Sequence, residues 1–270
     1  MMNNKLASLP IGIFDSGFGG LTVMRSLKEL MPNEDVVYLG DAARLPYGSK
    51  SPETIIKYSL ECARFLEKQN VKLIVCACHT ASSIAASVIR EALSIPLIDM
   101  VEPSVTAALC LPDNTSLAIL ATRSTILSGI YQKKLLENKK HLRIKHIACP
   151  LFAPIIEEGI TKGPIANEVI KHYLAPLKKE NIEVLLLACT HYPLLTGEIY
   201  SYMEGSCSFL DPGISCALFI KEYLENHQLK NEKNFHSQYH FFTTDDVNKF
   251  QSYGEQFFQD QIANVIKVAL

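Results

Sequence analysis

The chain lacks the features that direct a protein into or across a membrane. No apolar run approaches the roughly 20 residues with which a helix crosses a bilayer. The first ten residues also lack the apolar stretch of a signal peptide. We therefore expect a cytoplasmic protein, in which the eight cysteines are reduced thiols.

The sequence also shows few signs of a site for nucleic acid, a nucleotide or a metal ion. The formal net charge is only -2, which gives no attraction to nucleic acid or to a membrane surface. Cys76-Ala77-Cys78 is the one tight cysteine pair, and without a second pair it argues against zinc, so no metal site is predicted. The glycines at 17, 19 and 20 fit neither a dinucleotide-binding loop nor a P-loop.

What the chain does have is a regular alternation of apolar runs and helical patterns, in a composition that is 48% hydrophobic. Apolar runs bounded by polar residues are typical of strands buried in a parallel sheet. The predicted strands are Ile11–Phe14, Val36–Leu39, Leu73–Ala77, Pro96–Ile98, Leu117–Ala121, Ile144–Ala148, Val184–Ala188, Ser208–Leu210 and His240–Thr243. Helices are predicted between them, among others over Leu21–Leu30, Glu53–Gln69 and Ser82–Ala92.

Two of these runs resemble each other and end in the same residues. One run leads into Ala77-Cys78-His79-Thr80, and the other leads into Ala188-Cys189-Thr190-His191. Residues just past the carboxyl ends of parallel strands line the ligand crevice of an open sheet. A single cysteine in such a place is more often structural, but two in matched contexts favour chemistry that is symmetrical about a substrate.

This pattern predicts an α/β protein of two similar domains, each a mostly parallel sheet flanked by helices, with the active site in the cleft between them. The first domain is predicted to comprise residues 1–100 together with 212–270, and the second residues 101–211. The strand near residue 240 would then return to the first domain.

Two loops are ambiguous when they are taken alone. Asp15 to Gly20 follows the first strand and reads equally well as a turn before a helix or as a binding loop. Asp41 to Gly48 follows the second strand and is either a connecting loop with a packed Tyr47 or part of a site.

Taken together, five segments resemble the glutamate racemases, which need no cofactor and supply D-glutamate for bacterial peptidoglycan. The segments occur in the order and spacing of that family, and the Phe241 to Asp245 segment extends the resemblance over nearly the whole chain. They are Ile13 to Thr22, Tyr38 to Gly48, Cys78 to Ser82, Cys149 to Phe152 and Ala188 to Leu195.

The resemblance implies that two cysteines invert the α-carbon, one removing its proton from one face and the other returning a proton to the opposite face. Cys78 would act on D-glutamate with help from Asp15, and Cys189 on L-glutamate with help from His191, which Glu157 supports. Thiols with a depressed pKa are expected for this task. The substrate-binding residues implied are Asp15, Ser16, Tyr47, Gly48, His79, Thr80, Thr122, Thr125, Thr190 and His191.

One position departs from the family pattern, which usually has Asn immediately after the first cysteine, where this chain has His79. An imidazole is bulkier than an amide and carries charge at acidic pH, so His79 predicts activity that is sensitive to pH between about 5 and 8. Arg44 and Arg123 lie in the site loops and are expected to be peripheral to the substrate.

Three rival functions stay open at this stage. An aspartate racemase usually has Glu two residues after the second cysteine, where this chain has His191. A non-catalytic regulator would not need both thiols, and a cysteine hydrolase built on Cys189 and His191 would leave Cys78 unexplained. The resemblance also implies a homodimer and, from some family members, DNA gyrase as a protein partner.

Overall fold

The computed structural model describes residues 6–138, 141–232 and 237–270. The strands are β1 (Ile11–Asp15), β2 (Val36–Gly40), β3 (Leu73–Cys76), β4 (Leu97–Asp99), β5 (Ser116–Ala121), β6 (Arg143–Ala148), β7 (Val184–Ala188), β8 (Ser208–Leu210), β9 (Tyr239–Thr243) and β10 (Ile266–Lys267). The helices are α1 (Leu21–Leu30), α2 (Pro52–Lys68), α3 (His79–Ala92), α4 (Val101–Leu109), α5 (Arg123–Ser128), α6 (Ile130–Asn138), α7 (Phe152–Glu157), α8 (Pro164–Leu174), α9 (Thr196–Tyr202), α10 (Pro212–Asn226) and α11 (Val247–Phe258).

The strands form two sheets in which every pairing is parallel. The first sheet has the order β10-β9-β2-β1-β3-β4, and the second has the order β6-β5-β7-β8. Residues of β1, β2, β3, β5 and β7 are all buried, as the continuous apolar runs predicted. The predicted fold class, two parallel sheets flanked by helices, is confirmed.

The chain leaves the first sheet after β4 and comes back to it at β9. There β9 pairs with β2 in parallel, with Val36 opposite Tyr239 and Gly40 opposite Thr243. The first sheet thus draws on both ends of the chain and the second on its middle. The exact domain limits at residues 100 and 211 stay a prediction, because one buried apolar cluster contains side chains of both sheets, Tyr38 and Leu187 among them.

The helix after the first cysteine begins earlier than the sequence predicted. It starts at His79 rather than Ser82, and Cys78 is its N-cap in an extended conformation. The Ser82 N–H donates to the Cys78 carbonyl at 2.8 Å and closes the first turn. The apolar periodicity begins only after His79 and Thr80, both weak helix formers, which is why the pattern placed the start too late.

None of the helices in the described ranges is both long enough and apolar enough to cross a bilayer.

Candidate active site

Both cysteines of the matched segments open onto one cavity between the two sheets. Cys78 lies two residues beyond β3, and Cys189 follows β7 directly. Each is nearly buried, with 6% and 7% of its surface exposed, and both line the same cavity. Because the two strands belong to different sheets, the thiols reach the cavity from different halves of the chain.

The surroundings of Cys78 oppose ionisation of its thiol. Burial raises the pKa of Cys78 to about 12, and the nearby Asp15 carboxyl acts in the same direction. The Ala81 N–H at the start of α3 and the Ser16 hydroxyl favour the thiolate, but they do not outweigh burial. The depressed pKa expected for this thiol is therefore wrong, and the surroundings of Cys78 favour its protonated form.

Asp15 stands behind the cavity rather than in its wall. It ends β1, is fully buried, and accepts the Gly17 N–H on Oδ2 at 3.0 Å. No described residue pairs with its other oxygen, Oδ1. Burial raises the pKa of Asp15, and the charge of His191 offsets part of that rise. The carboxyl thus lies close enough to influence both Cys78 and His191.

The surroundings of Cys189 carry positive charge instead. His191 Nδ1 lies 3.9 Å from Cys189 Sγ, and its Nε2 lies 3.0 Å from Glu157 Oε1. Burial alone would lower the pKa of His191, but the bonds and charges of Cys189 and Glu157 reverse this and raise it to about 10. Below that pH the ring is an imidazolium that donates from both nitrogens, one toward the sulfur and one to the carboxylate.

A glycine lets this charged group reach the first half of the chain. A side chain on Gly19 would place its Cβ 2.2 Å from Thr190 Oγ1 and 2.6 Å from His191 Nδ1. The neighbouring Thr22 hydroxyl is 3.3 Å from the Thr190 carbonyl oxygen. The loop from Asp15 to Gly20 is therefore part of the site, and its glycine is needed for close approach between the halves.

Hydroxyl groups form a second contact between the halves. Thr80 and Thr122 lie 2.9 Å apart through their Oγ1 atoms, and Thr122 lies 3.0 Å from Thr125 in the same way. The Ser124 hydroxyl donates to the Gly48 carbonyl at 2.9 Å. The cavity is thus bordered by hydroxyls and backbone groups of both halves.

His79 is buried in this site as a neutral ring. It is 2% exposed, and neither of its ring nitrogens has a hydrogen-bond partner among the described residues. Its ring stacks on Tyr131 with the centroids 6.4 Å apart. Burial lowers the pKa of His79 to about 3, which argues against the titration from which we expected pH sensitivity between 5 and 8.

Most of the predicted site residues meet at the cavity, and two do not. Asp15 and Thr125 lie behind its wall, while Pro46 and Ala153 line it without having been predicted. Pro46 belongs to the Asp41 to Gly48 loop and was open to prediction, whereas Ala153 gives no chemical signal. The predicted residues that line the cavity are Ser16, Tyr47, Gly48, Cys78, His79, Thr80, Thr122, Glu157, Cys189, Thr190 and His191.

Among the described residues the cavity wall holds no arginine or lysine, and its cationic group is the His191 imidazolium. No cluster of three metal-binding side chains occurs within the described ranges. Arg44 pairs with Asp41 and Glu61 outside the cavity, as its predicted peripheral place requires.

Comparisons with known proteins place this geometry in a family. The chain matches the profile of the Asp/Glu/Hydantoin racemase family over residues 11–215. It is 43% identical to a glutamate racemase of Aquifex aeolicus, over 81% of this chain and 84% of that protein. It is 36% identical to one of Geobacter metallireducens, over 96% of both. A crystal structure of a Francisella tularensis glutamate racemase in complex with D-glutamate superposes with a TM-score of 0.91 and 36% identity, covering 97% of this chain and 98% of the other.

The chain therefore belongs to the Asp/Glu/Hydantoin racemase family, a class of isomerases. Within that class its resemblance to the glutamate racemases extends over nearly the whole chain. The resemblance predicted from the five sequence segments is confirmed.

Proposed function

We propose that the protein interconverts L- and D-glutamate by proton transfer between two cysteines. The observation that carries this proposal is the convergence of Cys78 and Cys189 on one cavity from two separate sheets. Inversion of an α-carbon needs an acid and a base on opposite faces, one protonated and the other not. Two thiols in different halves of the molecule supply that arrangement.

The charges around the thiols suit the direction that starts from L-glutamate. Cys189 lies beside the His191 imidazolium and acts as the thiolate base that removes the α-proton. Cys78, held as a thiol, donates its proton to the opposite face of the carbanion. The product is D-glutamate, with the proton on Cys189 and the negative charge on Cys78, and the reverse reaction starts from that state.

The supporting residues act through the thiols. Glu157 accepts from His191 Nε2 and so keeps the ring charged and oriented toward Cys189. Asp15 approaches Cys78 from behind the cavity and stabilises its protonated form, which is the form that must donate.

The substrate carboxylates are held by neutral donors. Ser16, Thr80, Thr122 and Thr190 line the cavity with hydroxyls, and the loop at Gly48 offers backbone groups. His79 offers a ring N–H that has no described partner, so a substrate carboxylate would satisfy it. Thr125 acts through its bond to Thr122, and Asp15 also attracts the substrate ammonium.

The test is incubation of the purified protein, without added cofactor, with L-glutamate in D2O. Loss of the α-proton signal together with loss of optical activity supports the proposal, and no change in either contradicts it. L-Aspartate in a parallel sample separates the glutamate racemases from the aspartate racemases.

A cysteine hydrolase is the second candidate, because Cys189, His191 and Glu157 form a line of nucleophile, base and supporting carboxylate. It leaves the second thiol in the same cavity without a task. Trapping of a thioester on Cys189 with an amide substrate would favour hydrolysis, and its absence favours racemisation.

The wider biological setting stays a prediction from the resemblance. We propose that the enzyme works in the cytoplasm as a homodimer, without metal or cofactor, and supplies D-glutamate for peptidoglycan. Sedimentation of the purified protein tests the dimer. Co-sedimentation with DNA gyrase tests the second partner.

A further inference from the structure

Asp41 gathers hydrogen bonds at the end of β2, outside the cavity. Its side chain is fully buried. Arg44 Nε donates to both carboxylate oxygens, at 2.9 and 2.7 Å, and the Thr244 hydroxyl donates to Oδ1 at 2.9 Å. The Tyr47 hydroxyl donates to Oδ2. Three side chains from two distant parts of the chain are therefore fixed by one carboxylate.

The same group is connected to the strand that carries Asp15. The Asp41 N–H donates to the Asp15 carbonyl at 3.0 Å. Thr244, just past β9, also accepts the Ala43 N–H at 3.0 Å and donates its own N–H to the Gly40 carbonyl at 3.1 Å. Backbone bonds to two strands of the first sheet thus fix the position of Asp41 independently of its side-chain bonds.

The other end of this arrangement reaches the cavity. Pro46, Tyr47 and Gly48 all line it, although the Tyr47 ring is 1% exposed and its hydroxyl proton is directed to Asp41. Gly48 packs against Thr122, where an added Cβ would lie 2.9 Å from the Thr122 Cβ. The backbone at Tyr47 and Gly48 is therefore the part of this loop that a substrate meets.

Arg44 has no freedom to serve the substrate directly. Its Nη1 pairs with Glu61, and its guanidinium lies 4.1 Å from the centre of the Tyr58 ring. It pairs with the buried carboxylate of Asp41, which would be costly inside the protein without such a partner. Its role is to hold the Asp41 carboxylate where Tyr47 donates to it.

We propose that Asp41 is a positioning residue, whose carboxylate holds Tyr47 and thereby fixes the Pro46 to Gly48 backbone that binds a substrate carboxylate. The inference rests on the proposed function, because the substrate carboxylate is that of glutamate. Asp41 itself touches neither the cavity nor the thiols in the described structure, so its effect is on substrate binding rather than on proton transfer.

The test compares two tyrosine variants that lose the same atom. Tyr47→Phe removes the donor to Asp41, and Tyr58→Phe removes a phenol oxygen from the neighbouring ring, 5.9 Å away between centroids. We expect Tyr47→Phe to raise KM and the calorimetric Kd for D-glutamate about tenfold, the order of a lost bond to a charged group, while kcat changes much less. Tyr58→Phe should change neither constant. Thr244→Val removes a second donor to Asp41 and is expected to act like Tyr47→Phe, more weakly.

Three results would overturn the inference. One is an unchanged KM and Kd in a folded Tyr47→Phe variant, and another is a fall in kcat alone, which would put Asp41 or Tyr47 in the proton transfer. The third is a wild-type protein that neither racemises nor binds glutamate, which would also end the proposed function. If wild type racemises and only the Tyr47→Phe result fails, the proposed function stands and the positioning role does not. Because Tyr47→Phe keeps the Asp41–Arg44 pair, it tests the role even where Asp41→Asn does not fold.

Discussion

The two cysteine segments have similar sequences but opposite electrostatic environments. Burial raises the pKa of Cys78 to about 12, and the carboxyl of Asp15 acts in the same direction. The neighbouring His79 ring is neutral. Cys189 lies beside His191, whose pKa is raised to about 10 by its sulfur and carboxylate neighbours. The Cys78 side of the cavity thus favours a protonated thiol, and the Cys189 side carries the His191 imidazolium.

This difference matches what a racemase of two thiols requires. Racemisation by two thiols needs one sulfur protonated and the other deprotonated, and the two roles exchange with the hand of the substrate. Burial and Asp15 raise the pKa of Cys78, while Glu157 helps to keep His191 charged beside Cys189. Substitutions in both halves of the site test this difference.

Loss of either thiol should abolish racemisation. Cys78→Ala and Cys189→Ala each leave one face of the substrate without an acid or base, and we expect activity to fall at least about 1000-fold in each. Polarimetry with L- and D-glutamate measures this. Substantial turnover by either variant would refute the two-thiol scheme, and Cys110→Ala, at an exposed thiol, is the matched control with unchanged activity.

A side chain on Gly19 should push the two halves of the molecule apart where Thr190 and His191 pack against the Asp15 to Gly20 loop. The Cβ of Gly19→Ala would lie 2.2 Å from Thr190 Oγ1, so Thr190 and His191 must move. A displacement of this size in an active site is expected to cost about 100-fold in kcat/KM. Gly197→Ala is the control, because an added Cβ there meets nothing within 4 Å. Equal activity of the two variants would contradict the close-approach role of Gly19.

Glu157→Gln should weaken the cation beside Cys189. Without the carboxylate the pKa of His191 falls, so the alkaline limb of kcat/KM moves to lower pH than the wild-type limb near pH 10. We expect about a tenfold loss of kcat/KM at neutral pH. The loss must be equal for both enantiomers, since the equilibrium constant of a racemisation is one. An alkaline limb at the same pH as in wild type would show that Glu157 does not raise the pKa of His191.

The same pair has a signature in stability. The folded pKa of His191, about 10, exceeds its ordinary value of 6.5, so the folded protein binds the proton more tightly than the unfolded chain. Its contribution is complete below pH 6.5 and is lost as pH rises through 10. Urea unfolding of wild type between pH 6.5 and 10 should therefore show a steeper decline than that of Glu157→Gln.

His79→Asn should change acid stability rather than the neutral pH–rate profile. The folded pKa of His79, about 3, lies below its ordinary 6.5, so the unfolded chain takes up a proton first as pH falls. Wild type should lose about 2 kcal/mol of unfolding free energy between neutral pH and pH 5 from this group, and the variant should not. Activity between pH 5 and 8 should keep its shape. A changed profile there would show that the ring titrates in the working enzyme.

Much of the fold could be predicted from the sequence. The apolar runs of β5 and β7 were located within a residue of their ends, because a strand buried on both faces needs apolar residues throughout. The start of α3 was missed because His79 and Thr80 carry no apolar periodicity. The two-residue β10 was missed because its residues, Ile266 and Lys267, form no recognisable run.

The candidate site, like the fold, could be predicted only in part from the sequence. Cys78 and Cys189 could be predicted from their matched contexts, and the family resemblance supplied the other site residues. It did not distinguish Ser16 in the wall from Asp15 behind it, since neighbouring residues leave a strand end in different directions. Asp41 carried no signal of its own, because its donors Tyr47 and Thr244 are brought together only by the pairing of β2 with β9.

From the amino-acid sequence alone we could predict the order of the strands along the chain, the family and the two thiols at strand ends. The electrostatic surroundings of each thiol could not be predicted in this way. They depend on burial and on charges such as Glu157, which is 34 residues from His191 along the chain and 3.0 Å from it in space. A pKa reports the dielectric and the charges within a few ångströms, and only folding sets those.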